Sequence, residues 1–384
     1  MNMKIGIITI LKVNNYGAEL QAYALQRVLN NLGFDAEIID YLFYKHPDHK
    51  NTRQSKPLFR FGLKKRLAET IYPLVAKGKT LFCSKAKKNR DQRFESFHKV
   101  NTRLSRSYSC VEDLLSSRMD YDIYMVGSDQ VWNPGIYSSL DPYFLKFAPT
   151  DKKCLAYASS FGVSAIPTYA KAYYSEALKR FDAIGVREDA GVRLVKDLSG
   201  KIACWVLDPT LLLSKEEWLK VAALPREISQ LERGYILLYE LTPCPYILQL
   251  ALHINEMLHV PVVRICKNAS REDKDKSILN IVDAGPSEFV GLFAHAKFVI
   301  TNSFHGTAFS INLERDFYTV TPLRKQNNSR QQSLLKLFSL ENRLIVEGDK
   351  FPTNNKLHID YIDVRNVLER ERKKSVQFLK DNCK

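Results

Sequence analysis

Short apolar strands that alternate with amphipathic helices are the feature that most restricts the fold of this chain. Residues 4–10 predict a strand, and after a polar loop residues 18–32 predict a helix that Gly33 ends. Further strands are predicted at residues 36–40, 121–126, 154–159, 183–186, 235–239, 260–265 and 298–301, and further helices at 169–180, 245–258, 286–295 and 307–314. This alternation is typical of βαβ units with parallel sheets, so we expect an α/β protein.

The predicted elements fall into two consecutive series. We predict an N-terminal Rossmann-like domain over residues 1–186, a C-terminal one over residues 187–345 and a helical tail over residues 346–384. The two Rossmann-like domains are expected to face each other across a cleft. Because open parallel sheets bind ligands beyond the carboxyl ends of their strands, the loops at those ends are the predicted functional segments.

Positive charge is concentrated in one segment. The chain has a formal net charge of +15, and residues 45–106 hold 18 Lys or Arg against four Asp or Glu, a net +14. Apolar residues at helical spacing lie among these charges, at Leu63, Leu67, Ile71 and Leu74. This basic insertion in the N-terminal domain suits an anionic membrane surface or a pyrophosphate group, and equally a solvated helical face. No nucleic-acid-binding motif accompanies the charge, so no nucleic-acid partner is expected.

The sequence carries no signature of secretion or of a membrane span. It has no cleavage-type leader and no apolar run long enough for a transmembrane helix, and its seven cysteines form no CxxC pair. We therefore expect reduced thiols and a cytoplasmic protein, with peripheral association at the inner face of the plasma membrane as an option.

The segment after the last predicted strand is chemically the most informative. A polar turn contains Asn302, Ser303 and His305, and Gly306 with Thr307 is predicted to open a helix. The amide groups and dipole of a helix start, together with a hydroxyl, favour an anion. An imidazole beside a bound phosphate can act as a general acid near neutral pH. The alternative is that His305 only hydrogen-bonds the turn.

The first predicted loop offers candidate ligand-binding groups. It contains Asn15, Tyr16 and Gly17, and Gln21 follows closely. Polar, uncharged side chains suit sugar hydroxyls or a phosphate ester, and Gly17 is expected to let a ligand approach the backbone. The absence of GxGxxG spacing argues against a dinucleotide site.

The loop after residues 121–126 offers a second set. Asp129 is a candidate base toward a hydroxyl, Trp132 is a candidate for stacking on a sugar, and Asn133 is expected beside them. The alternative is a helix N-cap at Ser128 or Asp129.

Two arginines are candidate anion ligands. Arg187 directly follows a strand, and Arg330 lies in a polar loop at residues 328–330. Arginine forms bidentate pairs with carboxylates and phosphates. For Arg187, a salt bridge to Glu188 or Asp189 is the alternative.

In order and spacing these segments resemble the polysaccharide pyruvyl transferase family. The resemblance runs through Asn14-Asn15-Tyr16-Gly17, Val126-Gly127-Ser128-Asp129, Val186-Arg187-Glu188, Asp208-Pro209-Thr210 and Ser303-Phe304-His305-Gly306-Thr307. It implies a GT-B-like fold and the transfer of a pyruvyl group from phosphoenolpyruvate to a sugar, with no metal and no organic cofactor. It also implies that His305 is the catalytic or donor-contacting histidine, with Arg187 near the donor.

Several members of that family carry Arg two residues before this histidine, where the present chain has Ser303. Either Arg187 or Arg330 is expected to supply the missing charge, and the alternative is a somewhat different chemistry in this chain. The predicted donor-binding set is Arg187, Asn302, Ser303, Gly306, Thr307 and Arg330, the acceptor-binding set is Asn15, Tyr16, Gly17, Gln21, Trp132 and Asn133, and the catalytic pair is His305 as acid and Asp129 as base.

The expected acceptor is a galactose-type sugar of a bacterial capsular polysaccharide or exopolysaccharide, with a polyprenyl-pyrophosphate-linked form as one option. Two other functions stay open. One is a GT-B glycosyltransferase that uses a nucleotide sugar, because fold alone does not settle function. The other is a non-catalytic basic protein that docks to a membrane.

Overall fold

The computed structural model describes residues 2–50, 85–136, 138–267, 278–323, 329–353 and 356–384. The chain divides into two compact units. Unit 1 takes its described residues from Met1–Cys83, His98–Leu212 and Arg372–Lys384, and unit 2 takes its own from Ser84–Phe97 and Leu213–Glu371.

Strands and helices alternate through both units. The strands are β1 (Lys4–Ile8), β2 (Asp35–Ile38), β3 (Ile123–Val126), β4 (Lys153–Ser159), β5 (Ala183–Val186), β6 (Ala203–Trp205), β7 (Ile236–Tyr239), β8 (Val262–Ile265), β9 (Leu279–Ile281), β10 (Phe298–Thr301), β11 (Asp316–Thr321) and β12 (Leu344–Val346). The helices are α1 (Tyr16–Asn31), α2 (Lys85–Asn101), α3 (Val111–Leu115), α4 (Thr168–Lys179), α5 (Asp189–Ser199), α6 (Lys215–Leu219), α7 (Arg226–Ser229), α8 (Pro245–Leu258), α9 (Pro286–His295), α10 (Phe304–Asn312), α11 (Ser329–Leu337) and α12 (Ile362–Asn382).

The sheet of unit 1 is parallel, with the strand order β2-β1-β3-β4-β5-β6. Ile5, Ile7 and Ile8 of β1 are fully buried, as expected for a central strand of a parallel sheet with two covered faces. The chain leaves β1 for β2 on one side and returns to β3 on the other. The loops after β1 and β3 therefore diverge and leave a crevice at this switch point.

The sheet of unit 2 repeats this plan, with the strand order β12-β11-β10-β7-β8-β9. The chain runs from β7 through β8 to β9 on one side and then places β10 on the other side of β7. The switch point of unit 2 therefore lies between β7 and β10. The loops that begin at Glu240 and Asn302 border it.

These two parallel sheets confirm the predicted α/β class with two Rossmann-like units. The boundary differs from the prediction, because β5 pairs with β6 and unit 1 continues to Leu212 instead of ending at residue 186. The predicted tail also divides, since Arg372–Lys384 belongs to unit 1. There the Ser375 hydroxyl accepts a hydrogen bond from the Leu207 amide at 2.9 Å.

The basic insertion lies largely outside the described residues, which omit 51–84 and with them the predicted amphipathic stretch. Its described part contains α2, whose first three turns belong to unit 2 and not to the N-terminal domain. Arg90 donates a hydrogen bond to the Val282 carbonyl at 2.8 Å, and Arg93 pairs with Asp283 at 3.2 Å. Part of the positive charge therefore holds a helix within unit 2.

Trp132 lies in the aromatic core of unit 1. It is fully buried, and its ring stacks on Phe144 at a centroid distance of 5.5 Å, with Phe161 at 5.2 Å and Phe181 at 5.4 Å. Its indole N–H donates to the Tyr143 carbonyl at 2.9 Å. The prediction that Trp132 stacks on a sugar is therefore wrong, because protein side chains already pack around its ring.

We expect Trp132→Ala to lower the free energy of unfolding by about 3–5 kcal/mol, because it removes a large side chain from a packed core. Tyr169→Ala is the matched control, since Tyr169 is 65% exposed, and it should change the value by less than about 0.5 kcal/mol. Urea unfolding measures both variants. Similar values for the two variants would contradict the core position of Trp132.

Candidate functional site

His305 lies at the switch point of unit 2. The helix α10 begins at Phe304, three residues earlier than the sequence suggests, so His305 stands in the first helical turn and not in the loop before it. The residue is 7% exposed. The positive end of the helix dipole is therefore next to the imidazole, which favours binding of an anion there.

Asn302 ties together the two loops that border this switch point. Its Oδ1 accepts a hydrogen bond from the Leu241 amide at 2.8 Å, and its Nδ2 donates to the Thr242 carbonyl at 2.8 Å. The residue is 2% exposed. Its predicted role as a donor ligand is therefore corrected to a structural one, because both ends of its carboxamide bind the loop after β7.

Ser303, Gly306 and Thr307 build the start of α10. The Ser303 hydroxyl accepts from the Gly306 amide at 3.2 Å, and the Thr307 hydroxyl donates to the Ser303 carbonyl at 3.0 Å and pairs with Thr319 at 2.7 Å. A Cβ on Gly306 would lie 2.4 Å from Thr301 Oγ1, so the helix approaches β10 closely. These groups serve the turn, which corrects their assignment as donor ligands.

Arg330 lies beside the histidine turn. It belongs to α11 and not to a loop, and its guanidinium carbon is 5.8 Å from the centroid of the Phe304 ring. The rings of Phe304 and His305 meet edge to face at 5.3 Å. The neighbouring Gln331 is anchored by a hydrogen bond from its side chain to the Asn302 carbonyl at 3.3 Å. An arginine cation therefore lies near the Phe304 ring, next in sequence to the histidine at the start of α10.

Gln21 holds the switch point of unit 1. Its Nε2 donates to the Thr9 hydroxyl and to the Ala18 carbonyl, each at 2.9 Å, and its Oε1 accepts from the Ser128 amide at 2.9 Å. The residue is fully buried. The prediction that Gln21 binds the acceptor is wrong, because its carboxamide joins the loops after β1 and β3.

The other residues of the first loop begin α1. The Asn15 side chain caps the helix by accepting from the Gly17 amide at 3.0 Å, and Tyr16 is 8% exposed. The left-handed backbone conformations of this loop occur at Lys12 and Asn14, with φ of +55° and +50°, and Gly17 is helical. Acceptor contacts by Asn15, Tyr16 and Gly17 stay predictions.

Asp129 follows β3 and pairs with a buried arginine. Arg187 is fully buried at its side chain and lies 3.0 Å from Asp129 and 2.8 Å from Asp208. Burial lowers the pKa of Arg187, but Asp129, Asp208 and Glu188 outweigh it and raise this pKa above its ordinary value. Arg187 therefore forms salt bridges, as the alternative held. Its partners are Glu188, next to it in sequence, and the distant Asp129 and Asp208. Its contact with a donor stays a prediction.

Asn133 closes a tight turn in the same loop. Its Oδ1 accepts from the Gly135 amide at 2.7 Å, and its Nδ2 donates to Gln130 at 2.8 Å. Its acceptor contact also stays a prediction. The side chain of Asp129, the acidic residue of this loop, is 14% exposed and therefore reaches the surface.

The predicted site did not include one charged pair, which lies at the carboxyl edge of the sheet of unit 1. Lys12 follows β1, Asp40 follows β2, and Lys12 Nζ lies 2.5 Å from Asp40 Oδ2. The position of each residue just after a strand is a signal that the sequence contains. Their pairing across neighbouring strands is not visible in local sequence.

Other features bear on the chemistry. No group of three or more His, Cys, Asp or Glu that suits a metal occurs among the described residues. The cysteines of this part of the chain are free thiols, among them the exposed Cys204. No helix in the described ranges is both long and apolar enough to cross a bilayer.

Fold and site together define an α/β protein of the GT-B-like class, with a histidine at the helix that follows a switch-point strand. The family model of the polysaccharide pyruvyl transferases matches residues 15–322, which include Asp129, Arg187 and His305. The chain therefore belongs to the polysaccharide pyruvyl transferase family. A comparison with curated proteins finds no match.

A solved structure shares the fold of this chain. The UDP-GlcNAc 2-epimerase of Methanocaldococcus jannaschii, in complex with UDP-GlcNAc and UDP, is 13% identical with a TM-score of 0.50, over 99% of this chain and 99% of that chain. The Neisseria meningitidis UDP-GlcNAc 2-epimerase bound to UDP-GlcNAc is 9% identical with a TM-score of 0.49, again over 99% of each chain. At 13% identity, the likeness to the Methanocaldococcus jannaschii enzyme shows the fold alone.

We expect Arg187→Met to lower the free energy of unfolding by about 3–5 kcal/mol, because it leaves buried carboxylates without their cation. Arg193→Met is the matched control: Arg193 is 69% exposed and pairs with Asp189 along one helix, so its loss should cost less than about 0.5 kcal/mol. Thermal and urea unfolding measure both. An Arg187→Met protein as stable as the control would contradict the structural role.

Proposed function

We propose that this chain transfers the pyruvyl group of phosphoenolpyruvate to two hydroxyls of one sugar and forms a cyclic pyruvate ketal. The observation that carries the proposal is the position of His305, in the first turn of α10 at the switch point of unit 2, with Arg330 near the ring of the neighbouring Phe304. Membership of the family supports the same class of reaction.

His305 is the proposed acid. Its proton passes to the methylene carbon of phosphoenolpyruvate while a sugar hydroxyl bonds to the neighbouring carbon. The bond from that carbon to the phosphate oxygen then breaks, inorganic phosphate leaves, and a second hydroxyl closes the ketal. Of the two hydroxyl protons, one replaces the proton that the histidine gave and one leaves with phosphate.

Electrostatics supports the donor position. Phosphoenolpyruvate carries a phosphate and a carboxylate, and both the helix N-terminus and an arginine favour such groups. These fixed partners also stabilise the charge that develops in the transition state. Arg330 is therefore the proposed replacement for the arginine that other family members carry where this chain has Ser303. The reaction as proposed requires no metal and no organic cofactor.

The acceptor is proposed to be a galactose-type sugar of a capsular polysaccharide or exopolysaccharide. Asp129 is the proposed base toward one of its hydroxyls, because its side chain is partly exposed beside the crevice of unit 1. A polyprenyl-pyrophosphate-linked acceptor at the inner leaflet would suit the basic insertion, and on this view the enzyme works in the cytoplasm at the membrane surface.

We expect His305→Asn to lower phosphate release from phosphoenolpyruvate by about 10²- to 10⁴-fold, because general acid catalysis is lost. His295→Asn is the matched control, since His295 lies at the end of α9 and bonds the Gly291 carbonyl. The assay uses a panel of galactosides as acceptors. Unchanged turnover in a folded His305→Asn protein would refute the proposed acid, and binding of nucleotide sugars without phosphate release would favour a glycosyltransferase.

Arg330→Met is expected to raise the KM for phosphoenolpyruvate about 10-fold or more, because a charge-assisted hydrogen bond to the donor is lost. Lys336→Met removes one positive charge from the last turn of the same helix and serves as the control. Steady-state kinetics at saturating acceptor measures both. Equal KM values for the two variants would exclude Arg330 as a donor ligand.

A further inference from the structure

The backbone of Lys12 is held in an uncommon conformation. Its φ of +55° lies in the left-handed region, which residues with side chains rarely adopt outside constrained sites. The carboxylate of Glu19, a fully buried residue, accepts the amide of Lys12 at 3.3 Å and that of Val13 at 3.1 Å. His98 Nε2 lies 2.8 Å from the same carboxylate. A buried anchor thus fixes where the Lys12 side chain begins.

The ammonium group of Lys12 is held at its far end as well. It lies 2.5 Å from Asp40 Oδ2, to which the Ser107 hydroxyl also donates. Asp40 is 2% exposed, whereas the Lys12 side chain is 28% exposed. Among the described residues Asp40 is the one hydrogen-bond acceptor of this ammonium, which has three donors. The remaining donors are therefore available at an accessible position.

Asp40 has unused hydrogen-bonding capacity of its own. Its Oδ1 is buried and accepts no hydrogen bond from any described residue. A buried oxygen without a donor is unfavourable, so Asp40 depends on the contacts of its other oxygen with Lys12 and Ser107. One hydroxyl group can both accept from the ammonium and donate to the carboxylate.

The local charge decides which ligand fits. Lys12 contributes one positive charge and Asp40 and Glu19 one negative charge each, so these three side chains together are net negative. An anion gains nothing from such a group. Uncharged hydroxyls, which both donate and accept, match a paired ammonium and carboxylate.

From this geometry we infer that Lys12 is an acceptor-binding residue that donates a hydrogen bond to a sugar hydroxyl, and that Asp40 and Glu19 position it. The inference rests on the proposed function for the identity of the ligand as a sugar. It adds to unit 1 a binding group at the carboxyl edge of its sheet, next to the switch point between β1 and β3.

The test compares Lys12→Met with Lys4→Met. Lys4 lies at the amino end of β1, the strand that precedes Lys12, and pairs with Asp120 at 3.4 Å. Its loss therefore removes the same charge from the amino edge of the sheet. Saturation-transfer NMR with the full chain and methyl galactosides measures sugar affinity without phosphoenolpyruvate. Lys12→Met should weaken binding by about 10- to 100-fold, because a charged hydrogen-bond donor is lost, whereas Lys4→Met should match the wild type.

In steady-state assays Lys12→Met should raise the acceptor KM by the same factor and leave the KM for phosphoenolpyruvate unchanged, a split that a general loss of structure would not produce. Equal sugar affinity in a folded Lys12→Met protein, an equal loss in Lys4→Met, or no galactoside binding by the wild type would overturn the inference. Sugar binding that depends on Lys12 in a protein that releases no phosphate would instead refute the proposed function alone.

Discussion

A buried carboxamide bridges diverging loops at the switch point of each sheet, and the candidate residues of each unit depend on the bridge of that unit. In unit 1 Gln21 binds Thr9 after β1 and Ser128 after β3. In unit 2 Asn302 binds Leu241 and Thr242 after β7 from the turn that follows β10. Buried amides must satisfy both their donors and their acceptors, so each bridge fixes the spacing of the loops around a crevice.

The residues proposed to take part in the reaction lie beside these bridged loops. In unit 2 the turn held by Asn302 and Ser303 starts a helix at Phe304, which brings His305 to the positive end of the helix dipole. In unit 1 the loop after β3 carries Asp129, which is paired with a buried arginine and partly exposed. In unit 1 the loop after β3 thus contains both Ser128, whose amide is held by the buried Gln21, and the more accessible Asp129.

Local sequence predicted the elements better than the site. The strand Phe298–Thr301 and the helices Pro245–Leu258 and Pro286–His295 have the predicted bounds, because apolar strands and proline at a helix start are local signals. The start of α10 was misplaced, since Ser303 is its N-cap and not part of a free polar turn. Gln21 and Asn302 were predicted to bind ligands because their partners, 107 and 61 residues away, are not visible in local sequence.

A crystal structure of the chain soaked with phosphoenolpyruvate tests the central claim most directly, because without an acceptor the donor should remain intact. We expect phosphoenolpyruvate in unit 2 at the carboxyl ends of β7 and β10, with its methylene carbon facing the His305 imidazole and an anionic group near Arg330. Phosphoenolpyruvate bound elsewhere on the chain, or bound with the His305 ring turned away from it, would contradict the account.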